Sequence, residues 1–190
     1  MPNWLRISIG VLATLIFAII FAALFFFGML KKSLPEYNAT LISEKITEDI
    51  NIYTDSIGIP YIKVNNDNDA AFALGFLHAR ERLFSMDLYR RAGEGRLSEI
   101  FGKRTLKFDE LFRTIGIART IKTNFGKYDK TVLSLLKSYS DGVNFYIENN
   151  TSKLPVEFDL LGYIPEKMDR NAKYHKNFRL QSQKIIRIFD

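Results

Sequence analysis

Asp69-Ala-Ala-Phe-Ala-Leu-Gly-Phe-Leu-His-Ala-Arg-Glu-Arg-Leu-Phe-Ser-Met-Asp-Leu-Tyr-Arg-Arg-Ala-Gly93 is the stretch on which the fold turns. Its apolar residues recur with helical spacing, and it reads as one helix of about six turns. Asn68 or Asp69 is suited to cap the start, because a short side-chain oxygen accepts a free backbone N–H. Gly93 and Gly95 are suited to end it, because glycine adopts the left-handed conformation of many helix stops. Phe72, Ala73, Phe76, Ala79, Leu83 and Phe84 share one broad face, and Arg80, Asp87, Arg90 and Arg91 fall within it. Leu74 and Tyr89 lie opposite. A helix apolar on most sides is buried on most sides, so its charges need partners. Asp87 has Arg90 and Arg91 three and four residues on, which is pairing distance on a helix. The residues therefore describe an ion-paired interior helix rather than a catalytic one.

Downstream, Gly95-Arg-Leu-Ser-Glu-Ile-Phe-Gly102 reads as a short helical turn with a stop. Leu106 to Ile117 carries Leu106, Phe108, Leu111, Phe112 and Ile115 at helical spacing, with Asp109 and Glu110 near the positive end of the helix dipole. Tyr128 to Glu148 is a further amphipathic helix. Asp129 is its cap, and Val132, Leu135, Leu136, Tyr139, Val143 and Tyr146 form its stripe. Upstream, Asp49-Ile-Asn-Ile-Tyr53 and Pro60-Tyr-Ile-Lys-Val64 alternate apolar and polar residues around Asp55-Ser-Ile-Gly58. This predicts a β-hairpin turned at Gly58, half-buried and in need of a covering layer. Ser33 to Thr47 reads as a polar connector.

Residues 1–6 form a short flank, and Ile7 to Leu30 is an apolar run without charge. As a helix these residues reach about 36 Å, enough to cross a hydrocarbon core of roughly 30 Å. The run is long for a signal-peptide core and no clear small-residue cleavage site follows. The expectation is an uncleaved transmembrane anchor over residues 7–30, with the soluble part periplasmic or otherwise outside the cytoplasm. Arg6 on one side and Lys31 and Lys32 on the other leave the charge rule for orientation nearly tied.

The chain has 190 residues, no cysteine and a formal charge of +6. The length suits one core-bearing domain plus an appendage, and disulfides and cysteine-based metal sites are excluded. From Glu166 to Asp190 the net charge is +4, so the body is nearly neutral and the tail basic. No basic stripe with interleaved aromatics points to nucleic acid. Residues 168–190, with Ile185-Ile-Arg-Ile-Phe189 as a short apolar run near their end, are expected to be disordered or loosely held.

The residues do not assemble a self-contained active site. His78 and His175 are far apart and lack ligand spacing, and His78 has Arg82 one turn on, a poor neighbour for a metal. There is no HExxH, phosphate-cradling loop or GxSxG elbow. By its own physics the sequence describes a membrane-anchored α+β module.

A resemblance adds to this. Residues 33–167 resemble the start of the penicillin acylase family, amidohydrolases with an amino-terminal nucleophile. The matching pieces come in the family's order. They are Ser33-Leu-Pro-Glu-Tyr37, Gly58-Ile-Pro-Tyr-Ile62, the helix from Asp69 to Phe84 with Met86-Asp-Leu88 and Arg90-Arg91, then Gly95-Arg-Leu-Ser-Glu99 with Phe101-Gly102. Arg113-Thr-Ile-Gly116, Tyr139-Ser-Asp-Gly-Val-Asn144, Leu154-Pro-Val-Glu-Phe158, Leu161-Gly-Tyr163 and Pro165 follow. Arg80-Glu81 stands where the family usually has glutamine and aspartate, and Tyr61 where histidine is frequent. Met168 stands where a tryptophan and an acidic, helix-starting segment are typical, and the tail beyond it has no likeness to the family.

The resemblance implies the helix-rich amino-terminal fragment of an αββα fold and hydrolysis of linear amides in N-acyl compounds, such as β-lactam side chains or acylated homoserine lactones. It also implies a serine nucleophile, freed by self-cleavage at the start of a β region, whose own amine is the base. No Ser-Asn pair of that kind occurs here. Catalytic, cofactor-binding and metal-ligating residues are therefore all assigned as none. Calcium, bound by family members, has its ligand region beyond the resemblance. The expectation is an inactive, truncated acylase with a shifted reading frame or a pseudogene behind it, needing a β region from its own or another chain. The alternative is a membrane-tethered binding or regulatory module, and an unrelated anchored structural protein is the remaining reading. Acyl specificity and oligomeric state are not encoded in these residues. An isolated α region is expected to expose apolar faces and bind a hydrophobic dye.

Overall fold

Nothing between Ile7 and Leu30 interrupts a helix, and α1 runs Asn3–Lys32, entered from extended Pro2. The computed structural model describes residues 2–168 and 184–189. The chain divides into two units, Met1–Leu34 and Pro35–Asp190. The first is α1, which buries none of its residues within the protein. It is long and apolar enough to cross a membrane, as a signal sequence also can be.

The second unit opens with strand β1, Ala39–Ser43, inside the segment expected to be a polar connector. Strands β2 (Ile50–Thr54) and β3 (Pro60–Lys63) form the expected antiparallel hairpin, with Ile52 opposite Ile62. Gly58 has φ +85°, and the Asp55 carboxylate accepts from the amides of Ile57 and Ile59, so the turn is held from inside.

The tail expectation needs correction. Lys184–Phe189 form β4, which lies between β1 and β2 in a sheet of order β1-β4-β2-β3. It runs antiparallel to β1 and parallel to β2. Ile186 and Ile188 point into the core while Arg187 lies between them on the other face. A five-residue apolar run has no periodicity that separates a strand from a loose tail. What decides it is the opening between β1 and β2, a long-range feature. The remainder of the tail, residues 169–183, and His175 with it, lie outside the described residues.

Helix α2 spans Asp67–Glu94 and is broken in register at Arg82, whose φ is −149°. Its cap is Asn66, earlier than expected, with the side chain accepting from the Asp69 amide at 2.8 Å. Gly95 ends it in the left-handed conformation. Phe72, Ala73, Phe76, Ala79 and Leu83 are buried, while Leu74 and Tyr89 are exposed, as the helical spacing requires. Helix α3 is Ser98–Phe101. The segment Leu106 to Ile117 is split by Gly116 into α4 (Leu106–Ile115) and α5 (Ile117–Asn124). Helix α6 is Lys130–Asn149, capped by Asp129 as expected. Helix α7, Val156–Leu161, was not legible as a helix, being under two turns long.

The core forms where α2 crosses α6. Two glycines permit the approach. A Cβ on Gly75 would sit 2.1 Å from the Tyr139 carbonyl oxygen, and one on Gly142 would sit 2.0 Å from that of Phe72. Backbone therefore rests on backbone. Phe72 and Phe76 meet Phe145 and Tyr146 around this point. Ile50, Ile52, Ile186 and Ile188 close the same core from the sheet side. On α6 the expected stripe is buried only at its C-terminal end, with Val143 and Tyr146, while Val132 is exposed.

Candidate functional site

Polar groups gather at three levels along α2. At its start, Asp69 is buried and does more than the helix-capping role read for it. Its carboxylate accepts from the Thr47 amide at 2.9 Å, the Thr47 hydroxyl at 2.7 Å, the Glu48 amide at 3.0 Å and the Asn66 side chain at 2.7 Å. It ties the β1–β2 connection to the helix.

Midway, His78 Nδ1 lies 2.9 Å from the Tyr139 hydroxyl on α6. Burial, and then the nearby Arg82 charge, hold its pKa below the ordinary 6.5, so it is neutral at physiological pH. Arg80 is buried. Its Nε donates to Glu81 at 2.7 Å and its guanidinium lies 4.6 Å over the Tyr37 ring. Its Nη1 is buried without a hydrogen-bond partner among the described residues.

At the end of α2 the expected ion pairs are present and are part of a larger network. Asp87 accepts from Arg90 at 2.6 Å, Arg91 at 2.8 Å and the Tyr163 hydroxyl at 3.1 Å. Arg91 reaches Glu99 at 2.5 Å, and Arg96 bridges Glu94, Glu99 and Glu166. Hydrogen bonding from Arg96 outweighs burial and, with Arg90 and Arg91, holds Glu166 down to about 2. The Arg96 guanidinium is correspondingly raised. Burial, reinforced by the Asp87 carboxylate, raises the Tyr163 hydroxyl. Carboxylates held ionised and saturated by arginines are poor proton carriers near neutrality. The network fastens residues 163–166 and α3 to the end of α2, and its chemistry is structural.

An open cleft of about 650 Å³ lies beside it, lined by Ser98, Leu106, Asp109, Glu110, Arg113 and Thr114. Burial works to raise Asp109, but hydrogen bonds from Ser98 and the Leu97 amide prevail and its pKa is lowered. Asp109 thus caps the start of α3. It is a weak base for the Ser98 hydroxyl, so the pair does not form an activated nucleophile. Among the described residues, no group of three or more His, Cys, Asp or Glu is placed to hold a metal ion. Tyr61, where the resemblance leads one to expect histidine, is exposed on β3.

An exposed apolar surface follows the cleft. Leu106, Leu111, Ile115 and Ile121 on α4 and α5 are 51%, 53%, 56% and 44% exposed. Sequence reasoning anticipated such faces. It missed the roles of Gly75, Gly142, Tyr163 and Glu166. A glycine in the middle of each of two long helices was the available signal for the first two.

These features have counterparts among known proteins. The protein resembles penicillin acylase 2 proenzyme of Pseudomonas sp. (strain SE83), with 34% identity over 137 residues, 72% of this chain and 18% of that protein. It is 30% identical over 134 residues to acyl-homoserine lactone acylase QuiP of Pseudomonas aeruginosa, covering 70% of this chain and 16% of that protein. The chain therefore spans under a fifth of the curated relatives it matches. A thermostable penicillin G acylase from Alcaligenes faecalis has a similar fold, with a TM-score of 0.57 at 22% identity, over 68% of this chain and 66% of that one. The penicillin amidase family matches residues 49–177, which runs past Lys167 and corrects the expectation that the tail has no likeness to it. That match takes in β2, β3 and helices α2 to α7, and the chain belongs to the penicillin amidase family.

Proposed function

We propose that this chain supplies the amino-terminal, helix-rich part of an amidohydrolase that cleaves linear amides of N-acyl compounds. The observation that carries this is the family match over residues 49–177, which coincides with the α2–α6 core and the hairpin packed on it. The similar proteins are named as penicillin and acyl-homoserine lactone acylases, so the substrate is an acyl group joined through an amide to a β-lactam nucleus or a homoserine lactone. The chain by itself is inactive on this reading, because it offers no serine of the kind the family uses, and Asp87, Glu166 and Asp109 are committed to arginines and backbone amides. A β region, on the same or a separate chain, completes the site and covers the apolar face of α4 and α5. The α1 helix anchors the protein in a membrane, with the second unit outside the cytoplasm.

Purified full-length chain is expected to give no release of chromophore from a chromogenic phenylacetyl amide, and no loss of an acyl-homoserine lactone. Activity is expected to appear when a relative's β region is supplied. Turnover by the chain alone would overturn the inactive reading. Resistance of the chain to alkaline carbonate extraction from membranes tests the anchor. The exposed face on α4 and α5 favours a second reading, a tethered binding module without catalysis. Capture of a defined partner without amidase activity in the complex would support it.

A further inference from the structure

β1 and β2 are consecutive in sequence and joined by residues 44–49, yet they do not pair with each other. Strands joined by so short a connection usually lie side by side. Here they stand one strand apart, and β4 fills the space. The separation has supports that do not involve β4. The Asp69 carboxylate holds Thr47 and Glu48 to the start of α2, the Ser43 hydroxyl accepts from the Lys45 amide, and Ile46 is buried in the core. Ile50 and Ile52 on β2 are fully buried and stand in register beside Ile186 and Ile188, on the core face of the same sheet. The rim of the space carries a charge. Asp49 accepts from the Ile185 amide at 3.1 Å and pairs with Arg187 at 3.5 Å.

Of the three strands, only β2 falls within the family match; β1 and β4 flank it on either side in the sequence. β2 and the helices beneath it lie within the family match at residues 49–177, whereas β4 begins at Lys184, outside it. Residues 169–183, fifteen in all, connect β4 to the rest. We propose that the space between β1 and β2 is a binding site for an extended peptide strand, and that β4 is a cis occupant which a strand of the same chemistry replaces in trans. The ligand is a segment with branched aliphatic residues at alternate positions and a cation between them. It runs antiparallel to β1 and parallel to β2. The edges of β1 and β2 that β4 pairs with provide main-chain affinity for any strand that takes its place, and the alternation provides register. This inference is independent of the amidohydrolase reading and stands or falls without it.

The test uses the full-length chain in detergent and a fluorescent peptide of residues 182–190. A short tether holds β4 at an effective concentration on the order of millimolar, so the free peptide binds the native chain weakly. Weakening the cis strand with Ile186→Ala and Ile188→Ala is expected to tighten peptide binding at least tenfold. A peptide with aspartate at both of those positions is expected not to bind. Equal binding by both chains, or by both peptides, would overturn the proposal.

Should the double variant lose its helical circular dichroism, a second measurement decides. The chain has no cysteine, so Ile42→Cys introduces a unique thiol on β1, opposite Ile185. A peptide with cysteine at position 185 is expected to form a disulfide with it, and one with cysteine at position 186 to form none. No disulfide with the first peptide, or equal yield with both, would overturn the strand site.

Discussion

Helices α2, α6 and α4 were all legible from the same periodicity, yet the crossing of α2 with α6 and the pair α4–α5 have opposite fates. At the crossing, Gly75 and Gly142 let two backbones touch, and aromatic side chains fill the space on either side. On α4 and α5 the stripe is at least as regular, yet Leu111 and Ile115 remain exposed. Amphipathicity thus states that a face is to be buried, and leaves open what covers it. Small residues at a contact point do more, because they specify how near the covering element comes.

The comparison can be broken most severely at the glycines. Changing Gly75 and Gly142 together to alanine forces two clashes with carbonyl oxygens, each costing about 1–3 kcal/mol. Urea unfolding is expected to show a loss of roughly 4 kcal/mol, or no cooperative transition. Gly126→Ala, where a Cβ meets nothing within 4 Å, is the control and is expected to be close to neutral.

Next in size is the buried pair. Asp87→Ala leaves the Arg91 guanidinium, itself almost inaccessible, without its buried partner, with only the half-exposed Glu99 and Glu166 remaining. Removing one member of a buried pair costs about 3 kcal/mol or more, and the same unfolding measurement reads it. Asp87→Asn keeps the shape and loses the charge, so it separates pairing from packing.

A smaller effect follows acid. Glu166 is held down to about 2 against an ordinary 4.5, chiefly by Arg96. A depressed carboxylate stabilises the fold above its unfolded pKa, and that contribution is lost as pH falls from about 4.5 through about 2. Glu166→Gln is expected to flatten the stability profile in that window. The side chain is nearly half exposed, so the change is under about 1 kcal/mol. His78 acts in the same direction at higher pH. Its pKa is lowered by burial, and stability declines as pH drops below 6.5.

The smallest change sharpens the other half of the comparison. Leu111→Gln with Ile121→Gln is expected to alter stability by no more than about 0.5 kcal/mol, as for surface positions generally. It is expected to reduce binding of a hydrophobic dye measurably, because the face it interrupts is uncovered in this chain. A large loss of stability would mean that the face is buried in solution.

Legibility in the sequence followed the range of the interaction. The α2 helix, its buried face, the Asp87 pairs, the Asp129 cap and the Gly58 hairpin all rest on residues within a few positions of one another, and all were readable. The cap of α2 was misplaced by two or three residues, since Asn66, Asn68 and Asp69 have similar chemistry and only geometry chooses among them. The kink at Arg82 has no proline or glycine at that position to announce it. Tyr163 and Glu166 were invisible as partners of the α2 network, because they meet it across more than seventy positions.

β4 shows the limit most clearly. Its alternation of Ile186 and Ile188 around Arg187 is written in the sequence, but six residues are too few to declare a strand. By itself the sequence determined the apolar α1 helix, the helix-rich α+β class and the family, because those depend on composition, local periodicity and ordered motifs. Only the tertiary structure decided that β1 and β2 stand apart, that a segment more than a hundred residues away fills the space, and that backbones meet at Gly75 and Gly142. Those outcomes depend on which surfaces come together in three dimensions; a mid-helix glycine signals that something approaches closely, but not what.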